Sequence, residues 1–306
     1  MMSQRSPIAW LVAFALLAIA NAGAASEPGR HVQIAHEGRQ LNGWITETEA
    51  SPVTILMLHG TLAHANMEIM ATFADVFAEY GIETLRVTLS LELDDRRGMF
   101  DCAAAHQHAH ADALGELDAW MTWLQENGRQ SIVLLGHSRA TNQVTRYAAT
   151  PGRPQLLGLA LVAPGVWSHE AVAAGFARQA DRELAPLLDK AEAMVESGHG
   201  TNVIGPVPFL HCQDATVSAR SFAAYYGNDP LFDTFALLDD TDLPVIVFAG
   251  SEDPLVEGLD DALAGLSETT SLEHVSVDGA DHFFRDLYAY DVVEAVQAWL
   301  AGMELP

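Results

Sequence analysis

Residues 131–144 read SIVLLGHSRATNQV, and the way they fold decides the class of the chain. Ile132 to Leu135 form a short apolar run that suits a buried strand rather than a helix. The residues from about Arg139 to Ala149 suit a helix. Between the two, Gly136-His137-Ser138-Arg139-Ala140 must reverse the chain in a tight, strained turn. Such a turn lifts a serine hydroxyl above the sheet and needs small neighbours so that strand and helix can approach. Gly136 meets that need fully; Ala140 stands where glycine is more usual and adds one methyl group.

The same alternation extends on both sides of this turn. Strands are expected at 31–38 and 41–48, divided by Glu37-Gly38, and again at 53–60, 82–91, 156–164, within 243–256 and at 272–284. Helices are expected over 67–81, ending on Gly81, and over 103–128, ending on Gly128. Two more are expected near 260–266 and 292–302. Strands that alternate with amphipathic helices give a parallel sheet covered on both faces, with right-handed crossovers. From Gly165 to about Thr241 the rhythm breaks into a helical stretch over 169–198 and an aromatic-rich mixed segment over 206–235, which reads as an inserted cap.

A nucleophilic serine needs a base, a carboxylate to orient the base, and donors for the oxyanion. Candidates for all three stand at the ends of other expected strands. His282 in VDGADHFF follows the last strand and is placed to act as general base. Asp253 in FAGSEDPLV is the orienting carboxylate, with Glu252 as its competitor one position earlier. The backbone N–H groups of Arg139 and Thr61, with Leu62 as second choice to Thr61, are the oxyanion donors. His59, Gly60, Leu62 and His137 are expected to contact substrate, Gly60 because glycine lets backbone approach a ligand closely.

With LHG, GHSRA, GSEDP and GADHFF on successive elements, the sequence resembles the α/β-hydrolase family over nearly all of the chain after its first segment. The resemblance implies a mostly parallel eight-stranded sheet with helices on both faces and an inserted, mainly helical cap. It also implies a serine hydrolase that needs no cofactor, acting on a small-molecule carboxylic ester, or a thioester or amide. Other readings on the same fold are a non-catalytic binding protein and a peptidase or haloperoxidase-like enzyme.

Composition narrows the partners. Forty-one acidic against fifteen basic residues give a formal charge of −26, and Lys190 is the single lysine. Such a charge argues against nucleic acid or anionic lipid as a partner. Arg5, the apolar run Ile8–Ala20 and the small residues of NAGAAS follow the order of a secretory signal. The run is too short for a comfortable permanent span, so no stable membrane insertion is expected after cleavage at Ala22, Ala24 or Ala25. The organisation expected is a signal over 1–25, core over 26–164 and 242–306, and cap over 165–241, in a periplasmic or secreted protein.

An exported chain allows Cys102 and Cys212 to pair, although two buried thiols remain the alternative. Within the expected helix over 103–128, His106 and His110 share a face at a spacing that suits a metal, with Asp101 or Asp112 as third ligand. A polar helix start is the competing reading, and no metal is assigned. Arg96 and Arg97 either attract an anionic substrate group or pair with Asp94 and Asp95. Phe209, Phe222, Tyr225, Tyr226 and Phe232 line an acyl pocket or fill the cap's own core.

Overall fold

The computed structural model describes residues 29–49, 51–266 and 271–303. The segment read as a secretory signal lies outside them. Strands β1 (Arg30–His36) and β2 (Arg39–Thr46) form a hairpin, followed by β3 (Thr54–Leu58), α1 (Glu68–Glu79) and β4 (Glu83–Thr88). Then come α2 (Asp112–Glu126), β5 (Ile132–His137), α3 (Arg139–Ala149) and β6 (Gly158–Val162). After a long intervening segment the chain returns with β9 (Val245–Gly250), α8 (Leu259–Ala264), β10 (Leu272–Val277) and α9 (Leu287–Ala301). The eight strands make one sheet in the order β1-β2-β4-β3-β5-β6-β9-β10. β1 and β2 pair antiparallel, as do β2 and β4, and all other neighbours run parallel.

Side-chain alternation divides the core into two layers. Ile55, Met57, Val133 and Leu135 pack with Phe73 and Phe77 of α1 and Val292, Val293 and Val296 of α9. Leu56, Leu58, Ile132 and Leu134 face the other way, onto Leu117, Trp120 and Met121 of α2 and Val144 and Tyr147 of α3. Burial on both faces explains why β3, β5 and β6 are near-continuous apolar runs.

Between β6 and β9 lie α4 (His169–Ala180), α5 (Ala185–Glu196), the antiparallel pair β7 (Val207–Phe209) and β8 (Cys212–Ala215), α6 (Ala219–Tyr226) and α7 (Thr234–Leu238). Phe176, Leu188, Phe209 and Phe222 of this segment belong to the same buried cluster as α2 and α3. The segment is therefore joined to one face of the sheet by continuous packing. It is also tied there covalently, because Cys102 and Cys212 form a disulfide across 110 residues.

Two expected helices differ from the observed ones. The stretch over 103–128 becomes helical only at Asp112. Before that the chain is extended, because the His106 N–H donates to the Thr216 carbonyl and the His106 carbonyl accepts from the Ser218 N–H. The stretch over 169–198 splits in two. Asp181 adopts φ 49°, which ends α4, and Pro186 sits in the first turn of α5, where a missing N–H costs nothing.

Candidate active site

Ser138 stands between β5 and α3 with φ 56° and ψ −123°, a conformation that a residue with a side chain rarely adopts. Its N–H donates to the Val162 carbonyl of β6 at 2.8 Å, which anchors the turn to the sheet. A Cβ on Gly136 would stand 2.7 Å from the backbone carbon and oxygen of Ala140, so only glycine permits this approach of strand to helix. The crowding falls on the backbone of residue 140 and leaves its methyl group buried without conflict.

His282 follows β10 and Asp253 follows β9, adjacent parallel strands at the edge of the sheet. The His282 Nδ1 lies 2.7 Å from Asp253 Oδ2, and Nε2 lies 2.9 Å from the Ser138 Oγ. Asp253 Oδ1 accepts from the Leu255 N–H at 2.8 Å, which orients the carboxylate. Glu252 is exposed at the surface and makes no such contact. The His282 carbonyl accepts from His137 Nε2 at 2.9 Å, so a second histidine holds the loop that carries the first.

The loop after β3 closes the other side of Ser138. A Cβ on Gly60 would come within 3.2 Å of the Ser138 Cβ, which places this backbone beside the hydroxyl. Among the described residues the Thr61 N–H donates to no backbone carbonyl, and the N–H of Arg139, as the first helical residue, has no intrahelical acceptor. Leu62 adopts φ 56°, and its carbonyl accepts from the Phe100 N–H at 2.9 Å. The loop is held from beneath by His59 and Arg96. His59 Nε2 accepts from the Leu89 N–H at 3.1 Å, so Nδ1 carries the proton and donates to the Gly60 carbonyl at 2.9 Å. Burial and the neighbouring Arg96 charge push the His59 pKa down to about 3, which keeps the ring neutral. Arg96 donates to the carbonyls of Leu89, Gly98 and Ala63 at 2.6, 2.6 and 2.8 Å.

Ser138 opens into a cavity of about 600 Å³ that extends beneath α4 and α6, lined among others by Thr61, Met67, Phe176, Tyr225 and Phe283. A second of about 340 Å³ lies on the side of His282, Thr141, Asn142 and Ala163. Arg139, Trp167, Phe232 and Leu255 border both. The cavity walls separate the residues expected near substrate. Gly60 lines the larger cavity, whereas His59, Leu62 and His137 are buried behind the wall, where the two histidines hold backbone carbonyls. Arg96 is likewise buried in the loop scaffold and Arg97 pairs with Asp95, so neither offers charge to a ligand.

The His106–His110 metal site is not formed, because these residues are extended rather than helical. His106 Nδ1 instead meets His108 Nε2 at 3.2 Å, His108 Nδ1 meets the Tyr225 hydroxyl at 2.8 Å, and His110 Nε2 meets Asn142 Oδ1 at 2.8 Å. Among the described residues, a spacing that suits a metal occurs at Cys102, His211 and Cys212, where the disulfide removes the thiolates a metal would need. Of the five aromatic residues singled out, Phe209 and Phe222 are core, while Tyr225, Tyr226 and Phe232 line the cavity. Trp167, Phe176, Met99 and His211 line it as well and carried no signal in the sequence; their direction depends on how α4 and β8 dock.

No sequence-family model and no curated protein sequence matches the chain. Solved structures do. Est1E from Butyrivibrio proteoclasticus with ferulic acid bound is 16% identical, with TM-score 0.63 over 88% of this chain and 98% of that one. An esterase from Pyrococcus furiosus is 15% identical, with TM-score 0.58 over 89% of this chain and 90% of that one. A monoacylglycerol lipase from Paleococcus ferrophilus is 14% identical, with TM-score 0.57 over 85% and 98%. Sheet order, crossover pattern and these superpositions agree that the chain has the α/β-hydrolase fold.

Proposed function

We propose that the protein is an exported serine hydrolase that cleaves a small carboxylic ester through an acyl-serine intermediate. The observation that carries this reading is the unbroken hydrogen-bond chain from Ser138 through His282 to Asp253, at the mouth of an apolar cavity. The bound ferulic acid of Est1E, itself a carboxylic acid of the kind that ester cleavage releases, is consistent with it.

The steps follow from the geometry. His282 Nε2 takes the Ser138 proton as Oγ adds to the ester carbonyl carbon, and Asp253 stabilises the imidazolium through Nδ1–H. The carbonyl oxygen becomes an oxyanion facing the N–H groups of Thr61 and Arg139. The tetrahedral species collapses, the C–O bond to the alcohol breaks, and His282 gives its proton to the leaving oxygen. Water then enters by the same route in reverse, returns Ser138 to its free form and releases the acid. Residues 165–241 serve as a cap that shapes the cavity. Export rests on the pattern of residues 5–25 and on a disulfide, which persists in oxidising compartments.

The test is turnover of p-nitrophenyl butyrate together with labelling by a fluorophosphonate. Wild type is expected to show both and Ser138→Ala neither, with its fold retained. Unchanged turnover in Ser138→Ala, or a folded wild type that ignores the probe, overturns the assignment in favour of a binding protein on this fold.

A further inference from the structure

The chain carries 41 acidic side chains, yet none of the residues lining either cavity is an aspartate or glutamate. The full positive charge on those walls is Arg139. Its side chain is oriented by Nε, which donates to Thr61 Oγ1 at 2.9 Å, and its guanidinium lies over the Tyr225 ring, 5.4 Å from the centroid. Nη1 and Nη2 have no protein acceptor, and no carboxylate pairs with the group among the described residues. Most other arginines among the described residues do have such a partner. Arg129 pairs with Glu83 and Glu47, Arg146 with Asp229, Arg153 with Asp118 and Arg220 with Asp112.

A guanidinium set among aromatic rings has lost much of its hydration, and its pKa falls below the usual range for that reason. Arg139 is half-buried, and a partly desolvated, unpaired charge is costly unless something arrives to pair with it.

We infer that the substrate is an ester carrying a carboxylate, and that the Arg139 guanidinium binds this group inside the cavity. The inference rests on the hydrolase reading above. Two free Nη groups in one plane match the two oxygens of a carboxylate. A phosphate monoester suits the site less well, because it brings close to two negative charges to one cation between apolar walls. Half-esters of dicarboxylic acids combine a scissile carbonyl for Ser138 with an anion for the neighbouring side chain.

Monoethyl adipate and ethyl hexanoate have acyl chains of equal length, and only the first bears a carboxylate. Acid release is read in a pH-stat for wild type, Arg139→Lys and Arg139→Gln. Wild type is expected to favour the half-ester in kcat/KM by roughly 10- to 100-fold, the size of a hydrogen-bonded charge contact. Arg139→Gln is expected to erase that ratio, and Arg139→Lys to keep part of it. Equal loss on both esters would assign the guanidinium to the oxyanion or to the fold and overturn the inference, as would a wild-type preference for the neutral ester. Calorimetric binding of the same two esters to Ser138→Ala reads recognition without turnover: tighter binding of the half-ester is expected, and equal binding overturns the inference. Should wild type cleave neither ester and ignore fluorophosphonate, the hydrolase reading fails, while the binding comparison still decides the role of Arg139.

Discussion

The two walls of the cavity are built differently. On the sheet side, the polar groups around Ser138 are set by backbone. Ser138 and Leu62 adopt positive φ, Gly136 allows the helix to approach, and His59, Arg96 and His137 each bind main-chain carbonyls. On the side of α4 to α7, the wall is made of side chains: Trp167, Phe176, Tyr225, Tyr226 and Phe232, backed by the chain His106–His108–Tyr225. Backbone geometry cannot drift by substitution of exposed residues, whereas a wall of side chains can. The proposed chemistry therefore rests on one wall and the proposed ligand choice on the other, with Arg139 bordering both.

The largest expected effect breaks the sheet side while leaving the opposite wall untouched. Asp253→Asn preserves shape but reverses the tautomer demanded of His282, and kcat for p-nitrophenyl butyrate is expected to fall by roughly 10³–10⁴-fold. Glu252→Gln, one residue earlier and exposed, is expected to remain near wild type. Comparable losses in both would move the orienting role away from Asp253.

A smaller effect is expected where the two walls are joined. The Cys102–Cys212 bond closes 110 residues, for which chain entropy alone gives about 4–5 kcal/mol as an upper figure. The double variant Cys102→Ser, Cys212→Ser is expected to lower the urea midpoint and to raise KM more than it lowers kcat, since the sheet side keeps its geometry. A fall in kcat with KM unchanged would mean that the disulfide supports the Ser138 side instead.

How much of this was legible in the sequence follows the same division. The run Ile132–Leu135 with Gly136 behind Ser138 reads as strand and turn because local sterics leave few alternatives. His282 and Asp253 stood out by following strands, that before Asp253 apolar, and adjacent strands bring them within hydrogen-bond distance. What sequence did not convey depends on distant partners. Residues 106–110 have a helix-like pattern but are drawn out by Thr216 and Ser218, more than a hundred residues away. His59 turns inward because the Leu89 N–H needs an acceptor. Arg139 was legible as a backbone donor only; the direction of its side chain is set by Thr61 and Tyr225.

Both walls hide neutral histidines, and protonation provides the finest comparison between them. Burial pushes His59, His108 and His110 down to about 3, and His106 and His137 to about 4. In the unfolded chain each takes up a proton below about pH 6.5. Between that pH and the folded values the unfolded state binds more protons, so stability is lost as pH falls through the window. Each histidine contributes a slope of about 1.4 kcal/mol per pH unit there. Glu116 acts in the opposite sense: burial raises it to about 7, so the folded state holds its proton where the unfolded state has released it, and stability rises as pH falls from 7 towards 4.5. His108→Phe removes one titrating ring from the cap-side wall. Its urea stability, measured from pH 7 to pH 4.5, is expected to decline by about one proton less steeply than wild type. It also leaves the Tyr225 hydroxyl without its ring partner, a penalty of about 1 kcal/mol that does not vary with pH and so separates from the slope. An unchanged slope would mean that His108 is already protonated in the folded protein, and that this wall carries a charge beside Arg139.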